Sequence, residues 1–108
     1  MKYNKLIRDR IPEIIEKSGK KAIVETLNES DYINFLKAKL EEELEEFKKS
    51  EDIEEIADII EVLYAIVEFK GMSIKDLEKI RLEKAEKRGA FKKRLLLKEV
   101  IENQGAFK

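Results

Sequence analysis

The chain has 108 residues, 44% of them charged and 43% hydrophobic, with one proline and four glycines. That is short for a self-sufficient core and suits one domain, 1–108, of amphipathic helices. No cysteine or histidine occurs, which excludes disulfides, thiolate sites, His-ligated metals and imidazole catalysis. The net charge of −1 hides a segregation: residues 1–24 carry seven basic and three acidic side chains, 25–70 five and fifteen, and 71–108 eleven and six.

The elements follow in chain order. Residues 1–10, MKYNKLIRDR, are short and basic, with no apolar signal core. Pro12 then favours the first turn of a helix whose apolar side is Ile11, Ile14 and Ile15, stopped at Gly19. Residues 22–27, AIVETL, are the best candidate for a short strand. Ser30 or Asp31 can cap a long helix running to about Lys49, with Ile33, Leu36, Leu40, Leu44 and Phe47 recurring every three or four positions. A turn near Ser50 leads to a second helix from about Asp52 to Phe69, ended by Gly71. Ser73 caps a third, with Ile74, Leu77, Ile80 and Ala85 inward, and Gly89 breaks it. The tail holds an apolar run, Leu95 to Leu97, and GAFK occurs at 89–92 and again at 105–108. No apolar run approaches membrane-spanning length, so the sequence predicts a cytoplasmic protein without a membrane partner. A few amphipathic helices leave apolar surface uncovered, which predicts a homodimer or larger homo-oligomer.

Position on the helices singles out a set of acids. With about 100° per residue and Ile53 at zero, Glu54, Glu61 and Glu68 form one solvated stripe on the second long helix. Asp58 and Glu55 instead align with Val62 and Phe69 on the apolar arc. An ionised carboxylate there costs several kcal/mol unless paired or bound to metal. If the chain turns back near residue 50, Glu43 faces Asp58 and Glu46 faces Glu55 across one seam, with Glu42 at its edge. No basic residue occupies the same levels of the facing arcs. Four converging carboxylates repel unless a cation intervenes, and hard oxygen donors without nitrogen or sulfur select Mg²⁺ or Mn²⁺, with Ca²⁺ as a lesser alternative. The bland alternative is a looser seam, with these acids solvated or paired elsewhere.

These motifs resemble the MazG-like and phosphoribosyl-ATP pyrophosphohydrolase-like superfamily. The EExxE pattern reads as Glu42, Glu43 and Glu46, and ExxD on the next helix as Glu55 and Asp58, within KLEEELEEF and EEIADIIEVLYAI. The opening YNKLIRDRIPEII and the later EKRGAFKKRLLL are similar to a small stand-alone branch of that superfamily. The resemblance implies an all-α fold, a helical hairpin core in a bundle completed by oligomerisation. It further implies hydrolysis of a nucleoside triphosphate to monophosphate and pyrophosphate, including clearance of non-canonical nucleotides. The connection from Glu46 to Glu55, eight residues, is shorter than in many relatives.

On this reading Glu43, Glu46, Glu55 and Asp58 are the metal ligands, and Glu42 or Glu43 the catalytic candidates for accepting a proton from water. Lys5 and Arg8, then Lys84, Lys87, Arg88 and Arg94, are candidates to grip phosphates, and Tyr3, Tyr64 and Phe91 to stack on a base. The alternative from another class is a non-catalytic oligomerisation or metal-binding module. A nucleic-acid partner is disfavoured by the acidic centre. A ferritin-like di-iron site is disfavoured because its Glu-x-x-His ligands cannot occur.

Overall fold

The structure, a computed structural model, describes residues 4–102. Tyr3 and the second GAFK, 105–108, lie outside the described residues. The chain comprises two compact units, Met1–Leu77 and Glu78–Lys108. Four helices occur among the described residues: α1 Ile11–Lys17, α2 Glu29–Ser50, α3 Ile53–Phe69 and α4 Ile74–Arg88. The fold is all-α, as the periodicities predict.

The helix ends follow local chemistry. Pro12 lies in the first turn of α1, and Gly19 ends that segment with φ +90°. The cap of α2 is Asn28, not Ser30 or Asp31; its side-chain oxygen accepts from the Asp31 N–H at 2.8 Å. An amide oxygen placed three residues before that N–H satisfies an orphan donor, so the helix starts at Glu29, ahead of both Ser30 and Asp31. Ser73 does cap α4: its hydroxyl accepts from the Asp76 N–H at 3.1 Å, and Asp76 returns the bond to the Ser73 N–H at 3.0 Å.

Residues 22–27 form no strand. A strand needs a partner to take its N–H and C=O groups, and none exists among the described residues. Ile23 is accordingly 90% exposed, and Val24 is exposed too.

α2 and α3 pack as a hairpin, reversing direction across a two-residue connection in which Glu51 adopts a left-handed conformation. Leu36 of α2, 2% exposed, and Val62 of α3 are the buried apolar residues of this seam. Ile33, Leu40 and Phe47 are half-buried around it, whereas Leu44 is exposed. At the open end, Tyr32 meets Phe69 edge to face with ring centroids 5.8 Å apart, tying the start of α2 to the end of α3. Ile14 and Ile80, expected inward, are exposed. Helical spacing selects a side, but burial needs something to cover it. No helix among the described residues is long and apolar enough to cross a membrane.

Candidate metal centre

The hairpin brings three acids together. Glu43 from α2 and Glu55 and Asp58 from α3 each offer a carboxylate oxygen, and these oxygens lie within 4.8 Å of one another. Glu43 is only 9% exposed, and Glu55 and Asp58 are half-buried, while Glu54, Glu61 and Glu68 are exposed as the helical stripe requires. Glu46 stands beside the group and is exposed. Three residues beyond Glu43, it is rotated about 60° off the line that Glu43 directs into the seam.

Electrostatics register the crowding. Burial, together with the charges of Asp58, Glu43, Glu46 and Asp52, raises the Glu55 carboxyl above its ordinary value. At Glu42, burial works against the charge, but Lys5 and Lys39 outweigh it and hold that carboxyl below its usual range.

The cations correct the sequence reading. The acids are partly neutralised by basic residues from outside the facing arcs. Lys39, one turn before the motif on α2 itself, places Nζ 3.3 Å from Glu43 and 3.5 Å from Glu42. Arg8, from the segment preceding α1, reaches Asp58 at 2.6 Å, and Lys5 reaches Glu42 at 3.0 Å. Lys39 precedes Glu42 and Glu43 by three and four residues, a helical spacing legible in the sequence. Arg8 and Lys5, candidates for phosphate on sequence grounds, both hold carboxylates of the motif here.

A cavity of about 470 Å³ adjoins the cluster. Residues 6–10 form one side and include Arg8, Asp9 and Arg10; Tyr32, Leu36, Val62 and Ala65 supply apolar surface, and Lys39 stands with the acids Glu43, Asp58, Glu61 and Glu68 on the hairpin side. Its size suits a small organic ligand. Lys84, Lys87, Arg88 and Arg94 are exposed side chains of the second unit, the first three on the last turns of α4. Phe91 in the same unit is exposed, as is Tyr64 on α3.

As a donor set, Glu43, Glu55 and Asp58 fit a hard divalent cation: three oxygen ligands with no nitrogen or sulfur, one of them almost wholly withdrawn from water. Their convergence also has a cost that a cation would offset, since Lys39 and Arg8 engage Glu43 and Asp58 but Glu55 is left among like charges.

No family model matches the chain. No solved structure matches it. An uncharacterized protein of Mycolicibacterium smegmatis (strain ATCC 700084 / mc(2)155) is 44% identical over 46 residues. The match covers 43% of this chain and 47% of that protein, so about half of each is compared.

Proposed function

We propose that this chain is a divalent-metal-dependent nucleoside triphosphate pyrophosphohydrolase of the MazG-like kind. It would work in the cytoplasm as a homo-oligomer, with Mg²⁺ as its ion and Mn²⁺ as a substitute. The observation that carries this reading is the meeting of Glu43, Glu55 and Asp58 across the α2–α3 seam, beside a cavity that also presents cationic side chains. Acids to hold a cation and bases to hold phosphates are what a metal–polyphosphate complex requires.

Glu43, Glu55 and Asp58 would hold the metal, with Glu46 at their edge. When bound, such a cation supplies neutralisation of the phosphate oxygens. Leu36, Val62 and Ala65 would give the nucleoside an apolar surface to pack on, and Tyr32 offers a ring beside it. Arg8 and Lys39 bring positive charge to the same space. In the reaction, a water oxygen bonds to one phosphorus of the α–β anhydride while the bridging P–O bond breaks. The products are the nucleoside monophosphate and pyrophosphate. The proton lost by the water passes to a carboxylate oxygen, for which Glu42, oriented by Lys5 and Lys39, and Glu43 are the candidates.

The test is a screen of canonical and chemically damaged nucleoside triphosphates with Mg²⁺ or Mn²⁺, scored for pyrophosphate. Release is expected from at least one substrate, abolished by chelation and by Glu55→Gln or Asp58→Asn. Cation binding without pyrophosphate release from any nucleotide would favour a metal-binding module and overturn the enzymatic reading.

A further inference from the structure

Among the described residues, the segment before α1 reaches both helices of the hairpin through ionic contacts. Lys5 Nζ holds Glu42 of α2 at 3.0 Å, and Arg8 Nη2 holds Asp58 of α3 at 2.6 Å. The two anchors differ in kind. Glu42 stands outside the group of converging oxygens, whereas Asp58 belongs to it. Arg8 also lines the 470 Å³ cavity, so one guanidinium stands at the junction between the carboxylate cluster and the space beside it.

Three properties of this contact matter. A guanidinium keeps its charge at any accessible pH, so Arg8 cannot leave Asp58 by deprotonating; it must move or be displaced. Its planar fork suits a phosphate as well as a carboxylate. The pair is loosely held, with the Arg8 side chain 53% exposed and that of Asp58 38% exposed, and pairs so open to water are worth little. An Arg8–Asp58 contact and a divalent cation on the same carboxylate compete for its charge. The released guanidinium already faces the cavity.

We infer that Arg8 is an exchange residue: it neutralises Asp58 while no divalent cation is bound, and passes to a phosphate oxygen of the nucleotide in the adjoining cavity once a cation takes Asp58. This rests on the carboxylate cluster being a cation site, as proposed above. It adds a device: the N-terminal segment occupies the site with an internal positive charge until metal and nucleotide arrive together. Metal alone is then bound less tightly than the carboxylates would allow, and nucleotide binding recovers the difference.

The experiment measures binding, not turnover. Mn²⁺ affinity is read by electron paramagnetic resonance on the full chain without nucleotide. Affinity for a triphosphate analogue with a methylene α–β bridge is then read on the Mn²⁺-loaded protein. Arg8→Gln should bind Mn²⁺ about three- to tenfold more tightly than the wild type and the analogue at least tenfold more weakly, two effects of opposite sign. Lys17→Gln removes the same charge from α1, where Lys17 pairs only with Glu13 among the described contacts, and should leave both affinities within twofold. Arg8→Lys keeps the charge without the fork, so Mn²⁺ binding should stay near wild type while analogue binding falls. If Arg8→Gln does not fold by its thermal melt, Arg8→Lys decides, and unchanged analogue binding overturns the exchange. Unchanged Mn²⁺ affinity in folded Arg8→Gln, or equal tightening in Lys17→Gln, overturns the exchange but leaves the cation site standing. A wild type that binds no Mn²⁺ overturns both.

Discussion

Glu43→Gln is the most informative single change, because it alters one charge at nearly constant shape in the most buried member of the cluster. Without metal, the variant loses attraction to Lys39 at 3.3 Å but is relieved of repulsion from Glu55 and Asp58. Lys39 keeps Glu42 at 3.5 Å. These effects offset, and stability should change by about 1 kcal/mol or less. With metal the outcome differs. A cation at about one hundred times its Kd stabilises the wild type by about 2.7 kcal/mol, roughly 10–20 °C in melting temperature for a domain near this size. Removing one of three ligand charges should weaken binding by about tenfold or more, and each factor of ten removes about 1.4 kcal/mol. The metal-induced shift in melting temperature should therefore fall by at least about half. Differential scanning fluorimetry with chelator and with Mg²⁺ or Mn²⁺ reads both states. Glu54→Gln, on the exposed stripe of α3, should show the full wild-type shift. Equal shifts in wild type, Glu43→Gln and Glu54→Gln would place the cation elsewhere and refute the seam argument.

The remaining predictions concern pH, core and assembly. The raised Glu55 carboxyl means that the folded chain takes up this proton at higher pH than the unfolded chain, whose Glu titrates near 4.5. In chelator, Glu55 therefore lowers stability at neutral pH, and that penalty is relieved as pH falls through the folded pKa toward 4.5. Urea unfolding should find Glu55→Gln more stable than wild type at neutral pH, with the difference shrinking on acidification; a gap that widens in acid would contradict this. Leu36→Ala should cost about 2–5 kcal/mol by the same method, since Leu36 is the most buried side chain of the seam, and a loss under about 1 kcal/mol would show that the hairpin is held otherwise. Leu44, Ile60, Leu63 and Tyr64 leave apolar surface exposed on the hairpin, so sedimentation at micromolar concentration should find at least a dimer, and a stable monomer would count against the oligomer.

Whether a feature could be read from the sequence depended on how far apart in the chain its causes lie. The α2 and α3 segments announced themselves through apolar spacing, and the exposed stripe of Glu54, Glu61 and Glu68 followed from helical geometry alone. So did the inward placement of Glu55 and Asp58. The meeting of Glu43 with those two needed one further premise, the tight turn at Ser50, which short range also supplies. Residues 22–27 misled for the opposite reason: β propensity is local, but a strand exists only where a second strand pairs with it.

Charge compensation shows the same division within one site. Lys39 reaches Glu43 by the i,i+4 relation, so its role was available to anyone who extended the motif one turn backwards along α2. Arg8 reaches Asp58 across fifty positions of sequence, and no periodicity relates them. Its basic stretch outside any helix signals affinity for an anion without saying which anion. The structure gives it the Asp58 carboxylate, and a phosphate is the other anion that its planar fork suits. On the exchange proposed above, an arginine that must choose between them would make occupancy of the metal site depend on nucleotide as well as on ion concentration. Metal affinity measured on the chain alone should then understate the affinity that operates during turnover, which places the decisive measurement on the ternary complex and not on the ion by itself.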